Sequence, residues 1–197
     1  MTVLRTFPRV RALAHAVCSN LGRRNRSGAP GFAMTTPEQR LLERGLRPPA
    51  ALWRPLGVTL AFPWVRVHGT RALISGHGPK DEHENLALPL GKVGLDVSKE
   101  QAYTAARLTG LAILGSLKRE LGSLDRIACW TGVFGMVHSA PGFTRQPAVI
   151  NGFTDLIVEV LGPGRGAHAR SAVGLGELPF RIPFEIEGEV ELAEGGA

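Results

Sequence analysis

The chain has 197 residues, 44% hydrophobic and 20% charged, enough for one domain with its own core and too few for two. Its net charge of +6 points towards nucleic acid until it is located: Arg5, Arg9, Arg11, Arg23, Arg24 and Arg26 stand in a stretch with no lysine and no acid, so residues 35–197 carry no net charge. That balance removes the basic footprint of phosphate-backbone binding, and no apolar run reaches the roughly 18 residues of a membrane span.

Residues 1–34 read as a leader. On a helix, Leu4, Phe7, Val10, Leu13 and Val17 would form an apolar stripe against the arginines, which fits a mitochondrial transit peptide. The alternatives are upstream sequence read through to a start at Met34, or a functional basic arm. The expected compartment is the mitochondrial matrix if the leader is a transit peptide and the cytoplasm otherwise. With Cys18 in the leader and Cys129 in an apolar run, neither a disulfide framework nor a Cys-based metal site is expected.

Residues 35–59 are expected to form a short helix, from Thr35–Pro37 to a stop at Gly45, and then an extension over Arg47–Pro55 that its prolines keep non-helical. The domain proper spans 60–192, with 193–197 as a tail. Apolar segments at Ala61–Val67 and Ala72–Ser75, joined by His68-Gly69-Thr70, read as a hairpin. Gly76–Leu90 reads as a loop. Ser98 and Gln101 form a capping box opening a helix whose inner stripe is Ala106, Gly110, Leu114, Leu117 and Leu121, ended by Gly122. Arg126–His138 is apolar at odd and even positions, as in a strand buried on both faces. A second helix is expected over Pro147–Leu161, with Val149, Phe153, Ile157 and Val160 on one face and Asn151, Asp155 and Glu159 on another. His168–Leu175 reads as a strand, and the alternation of Ile182, Phe184, Ile186, Gly188, Val190 and Leu192 with Glu185, Glu187, Glu189 and Glu191 predicts another.

This order implies an α+β domain, a mixed sheet with two helices on one face. Two helices cannot cover both faces of the Arg126–His138 strand, so self-association is the economical answer.

Few spacings carry chemistry. Gly162-Pro163-Gly164-Arg165-Gly166 lacks the ending of a phosphate loop and reads as a turn. His77 and His83, near Asp81, Glu82 and Glu84, have no regular element to fix a metal geometry, so no metal is expected. Lys92 between Gly91 and Gly94 reads more simply as a surface lysine than as an anion holder. Arg170 is different, because a guanidinium among Ala169, Ser171, Ala172 and Val173 in a strand needs a partner. A hairpin about Leu178–Arg181 would put Arg170 and Glu185 on one wall as a structural pair. The other candidate partner is the carboxylate of a ligand.

Ala169-Arg170-Ser171-Ala172-Val173, Leu178-Pro179 and Phe184-Glu185-Ile186-Glu187, with Leu73-Ile74-Ser75-Gly76 and Asn151, resemble the RidA/YjgF family, also called the L-PSP endoribonuclease family. The resemblance covers roughly residues 60–192. It implies a chorismate-mutase-like fold, a homotrimer with clefts between subunits, and cofactor-free hydrolysis of reactive 2-imino or enamine acids to 2-oxo acids and ammonia. By that resemblance Arg170 and the Ala172 N–H hold the substrate carboxylate, Glu185 directs the attacking water, Gly76 brings main chain to the ligand, and Trp64 and Asn151 line the site. The sequence departs from the pattern in four places. His168 replaces a proline, Trp64 a tyrosine, and Ala172 a cysteine, and an asparagine is missing near Leu111-Ala112. Gly91-Lys92-Val93-Gly94 and the His168-Ala169-Arg170-Ser171 run look closer to a less studied branch than to the deaminase type. Two other functions remain open: a non-catalytic carboxylate-binding or regulatory trimer, and, less favoured for a neutral domain, a ribonuclease or RNA binder.

Overall fold

In the computed structural model the described residues are 35–50 and 60–194. The leader, most of the proline-containing extension and the last three residues lie outside them. The capping chemistry read from sequence sets two helix starts. The Thr36 hydroxyl accepts from the Gln39 N–H at 3.1 Å while the Gln39 side chain accepts from the Thr36 N–H at 2.7 Å, opening α1 (Pro37–Glu43). Ser98 and Gln101 repeat the exchange at 3.1 and 2.8 Å to open α2 (Lys99–Leu121), which Gly122 closes with φ +80°. The next long helix, α3 (Gln146–Leu161), has no side-chain cap and carries Pro147 in its first turn, where a missing N–H costs nothing. A single helical turn, α4 (Pro163–Gly166), follows it.

The five strands are β1 (Val65–His68), β2 (Arg71–His77), β3 (Ile127–His138), β4 (Ala169–Leu175) and β5 (Phe184–Leu192). Their order across the sheet is β1-β2-β5-β3-β4. All neighbours are antiparallel except β3 and β4, which α3 joins as a parallel crossover. The expected β4–β5 hairpin is therefore not formed, because β5 inserts between β2 and β3 and leaves β3 separating it from β4. β1 also starts later than its apolar run, since Pro63 cannot donate to a ladder. β2 continues through His77 into what reads as loop, over an irregularity between Ile74 and His77.

Both long helices pack on one face of the sheet. Phe184, Ile186 and Val190 of β5 meet Val149, Phe153 and Ile157 of α3 and Ile113, Leu114 and Leu117 of α2, all inaccessible to solvent. Each such side chain contributes about 1.5–3 kcal/mol relative to exposure. Among the described residues nothing covers the opposite face: Leu73 is 43% exposed and Phe134 37%. That is the uncovered face that the two-sided apolar pattern of β3 anticipated.

Candidate functional site

The predicted site residues separate into two groups, and the register of β3 shows how. Arg170 on β4 is opposite Val133, and Glu185 on β5 is opposite Met136. Val133 and Met136 are three residues apart in a stretch without a bulge, so their side chains point to opposite faces. Val133 is part of the core under the helices. Arg170 therefore lies on the helix side at the sheet edge, while Glu185 lies on the uncovered side. The strands carrying them are two ladder spacings apart, about 10 Å.

Arg170 is exposed, not buried as its apolar neighbours suggest, because β4 is an edge strand. Its guanidinium reaches over α3. Nη1 donates to Thr154 Oγ1 at 2.8 Å, and Nη2 donates to Asn151 Oδ1 at 2.7 Å and to the Pro147 carbonyl at 3.4 Å. All three acceptors are neutral, and among the described residues no carboxylate pairs with it. This overturns the structural Arg170–Glu185 pair. Ala172 follows on the same face of β4, opposite Gly135 and partly buried against the core. Asn151 thus joins Arg170 as expected. Thr154 and Pro147 were not singled out from the sequence, although their spacing with Asn151 places all three on one face of α3. What sequence could not supply was that β4 lies beneath that face.

The second group surrounds Glu185. Burial first, and then the neighbouring Glu187, push its carboxyl above the usual carboxylate range. Gly76 packs against it so closely that a Cβ there would sit 2.0 Å from Glu185 Oε1. The irregularity in β2 produces this approach by turning both Ile74 and His77 to the helix side. His77 is 1% exposed, with Nδ1 2.6 Å from the Ser75 carbonyl and Nε2 2.9 Å from Ser116 Oγ on α2. Burial lowers its pKa to about 4, so the ring is neutral at neutral pH. Trp64 joins neither group by its side chain. Its ring lies tilted 5.0 Å from that of His77, and among the described residues its buried Nε1 has no hydrogen-bond partner. His83, by contrast with His77, is exposed beside Glu82, and no group of three or more His, Cys, Asp or Glu among the described residues is placed to hold a metal ion. A cavity of about 650 Å³ between α1 and the C-terminal half of α2, lined by Leu41, Leu46, Pro49 and Gly115, includes none of the predicted site residues.

No family model matches the chain. Over 124 residues, 63% of this chain and 76% of the relative, it is 36% identical to Protein TCP17 of Trypanosoma cruzi. Among solved structures it is similar to Atu1372 of Agrobacterium tumefaciens, a protein of unknown function, at 36% identity and TM-score 0.71, over 80% of this chain and 92% of that one. It is also similar to a provisionally named endoribonuclease of Shewanella oneidensis, at 27% identity and TM-score 0.72, over 80% of this chain and all of the other. The chain belongs to the RidA/YjgF family.

The RidA/YjgF architecture expected from the C-terminal signature, a mixed five-stranded sheet in an α+β domain, is the one observed. Within it the signature arginine and glutamate belong to different faces of one chain, with the arginine bound only to neutral groups.

Proposed function

We propose that this RidA/YjgF protein hydrolyses small 2-imino acids to 2-oxo acids and ammonia, in clefts formed between copies of the chain in a homotrimer. The carrying observation is the Arg170 guanidinium, exposed and bonded only to neutral acceptors of α3. Such a cation is held in place without being neutralised, the condition for gripping a ligand carboxylate. The separation of the Arg170 and Glu185 groups supports the second half of the reading, because one small molecule can meet both only if another copy presents its Glu185 in front of Arg170. The uncovered face carrying Phe134 and Leu73 supplies the surface for that association.

In this reading Arg170 holds the carboxylate, with the Ala172 N–H beside it, and Glu185 from a neighbouring copy takes a proton from water. The water oxygen bonds to C2 of the imine as the C=N π pair moves to nitrogen. That proton and then the proton of the new hydroxyl pass to nitrogen, the C2–O double bond forms as the C–N bond breaks, and ammonia leaves a 2-oxo acid. No redox step or cofactor is required. A carboxyl held above its ordinary range is closer to the working pH and is the better general base for it. The Gly76 main chain confines that carboxylate to one position. The test is to add the protein to an amino-acid dehydratase acting on threonine. Release of 2-oxobutanoate should accelerate, Arg170→Ala should remove the effect, and no acceleration by the wild type would sink the proposal.

A carboxylate-binding trimer without turnover is favoured by one observation. Trp64 stands where the family often places a phenolic hydroxyl, and its side chain is turned to His77. That reading predicts thermal stabilisation by 2-oxobutanoate that needs Arg170, with no acceleration of the dehydratase assay. RNA cleavage is disfavoured by the uncovered face itself, which carries Glu187 and Glu189 beside Glu185 and would repel a phosphate backbone.

A further inference from the structure

His168, the residue standing where the family signature has a proline, is half-buried between β3 and α3. Its ring centroid is 5.7 Å from that of Phe153 and 6.3 Å from that of Trp130. Its Nδ1 lies 2.7 Å from the Gly166 carbonyl oxygen, and its Nε2 lies 3.1 Å from Thr154 Oγ1. A carbonyl only accepts, so Nδ1 carries the proton. Burial, and with it the nearby Arg170 charge, holds the ring below its ordinary range despite the Gly166 bond, so it is neutral at pH 7. Nε2 of that tautomer is a bare acceptor, and the Thr154 hydroxyl is what faces it. The hydroxyl therefore donates to His168, and its lone pairs are left for the 2.8 Å bond from Arg170 Nη1.

We infer that His168 is a positioning residue for the carboxylate site, orienting the Thr154 hydroxyl so that Thr154 in turn holds the Arg170 guanidinium in its binding pose. The inference rests on the carboxylate-holding role proposed for Arg170, and it adds two residues that the role does not itself require. A proline at position 168 has no side-chain acceptor, so a Thr154 hydroxyl beside one would be free to turn its proton towards Arg170 and compete with the guanidinium. The relay from the Gly166 carbonyl through His168 and Thr154 closes that freedom. It accounts for the bond at Nη1, while Nη2 is held separately by Asn151 Oδ1 and the Pro147 carbonyl.

The test uses the full-length protein with 2-oxobutanoate as the probe, measured by calorimetry, and nitrogen-15 spectra of the histidine rings. His168→Phe keeps the ring stack with Trp130 and Phe153 and removes the acceptor; Thr154→Val removes the hydroxyl and Thr154→Ser restores it. His168→Phe and Thr154→Val should each weaken binding roughly fivefold, the size of one hydrogen bond, and Thr154→Ser should bind as wild type does. The wild-type spectrum should show His168 protonated at Nδ1 only, and Thr154→Val should move its Nε2 signal. In the dehydratase assay the loss should fall on KM more than on kcat. If Arg170→Ala binds the probe as well as wild type, the carboxylate reading fails and takes this inference with it. If Arg170→Ala loses binding while His168→Phe retains it, or if His168 carries its proton on Nε2, the relay is wrong and the function stands.

Discussion

Gly76 and Glu185 meet so tightly that a single methyl group on the glycine would lie 2.0 Å from the carboxylate oxygen Oε1. Gly76→Ala must therefore expel the Glu185 carboxylate from its place. Arg170 and its supports are on another strand and another face, so carboxylate binding should survive. The expected result is a drop in kcat on the order of 10–100-fold with KM changed little, the signature of a misplaced catalytic group. Steady-state kinetics of the imine-hydrolysis assay check it.

Because Arg170 and Glu185 lie on opposite faces of one chain, clefts shared between copies predict that two inactive variants repair each other. Arg170→Ala and Glu185→Gln, each inactive alone, are mixed, dissociated and reassembled in equal amounts. Random assembly leaves about a quarter of the clefts with an intact arginine from one copy and an intact glutamate from the next. Recovery of that share of wild-type activity supports clefts shared between copies. Continued inactivity in a mixture shown to have exchanged subunits would place the whole reaction within one chain.

The pH dependence of stability follows from the raised pKa of Glu185. A carboxyl that binds its proton more tightly when folded stabilises the fold below the unfolded value, and that contribution is lost as pH rises through the folded value. Once ionised, the wild type carries a half-buried charge that Glu185→Gln lacks. The variant should melt higher at pH 7, each 1 kcal/mol of relief being worth roughly 2–4 °C in a domain of this size. The gap should close in acid. Calorimetric melts at pH 4 and pH 7 decide it, and an equal gap at both pH values would refute the half-buried Glu185 charge as the cause. The same titration sets the acid limb of the activity profile, above the usual carboxylate range, because only ionised Glu185 accepts a proton.

Local chemistry was readable in this sequence wherever one segment decides its own structure. Ser98 with Gln101 announces α2, and the Glu-alternating run ending at Leu192 announces β5, since cap pairs and period-two burial act over a few residues. The two-faced apolar pattern of β3 corresponds to a face that no described residue covers. What the pattern could not carry was strand order. Nothing near Leu178–Arg181 distinguishes a hairpin turn from a longer reach across β3, because the difference lies in which distant edge is free when β5 arrives. The Arg170 environment was hidden for the same reason. Asn151, Thr154 and Pro147 share a face of α3, but only the parallel β3–β4 crossover lays the guanidinium on that face. His168 was visible as a departure from the family signature, yet its partner Thr154 emerges only from the packing of α3 over β4.

Two small residues between α2 and α3 look alike in sequence and should behave differently. A Cβ at Gly110 would lie 2.8 Å from Leu156 Cδ2 and 3.2 Å from Phe153 Cδ2, the ends of side chains that can turn aside. A Cβ at Gly152 would lie 2.0 Å from the Tyr103 carbonyl oxygen and 2.9 Å from its carbon, which are backbone atoms inside α2 and cannot move unless the helix does. Separating the helices would loosen the Tyr103–Asp155 hydrogen bond of 2.8 Å and open the layer beneath, including the face of α3 that holds Arg170. Gly152→Ala should cost about 3 kcal/mol or more, as strongly overpacked core sites do, and Gly110→Ala markedly less, with part of its clash offset by the better helix propensity of alanine. Urea denaturation of the two variants compares them directly. Equal destabilisation would mean that the helices yield as easily as the side chains between them, and a rigid α2–α3 contact as the support beneath Arg170 would have to be given up.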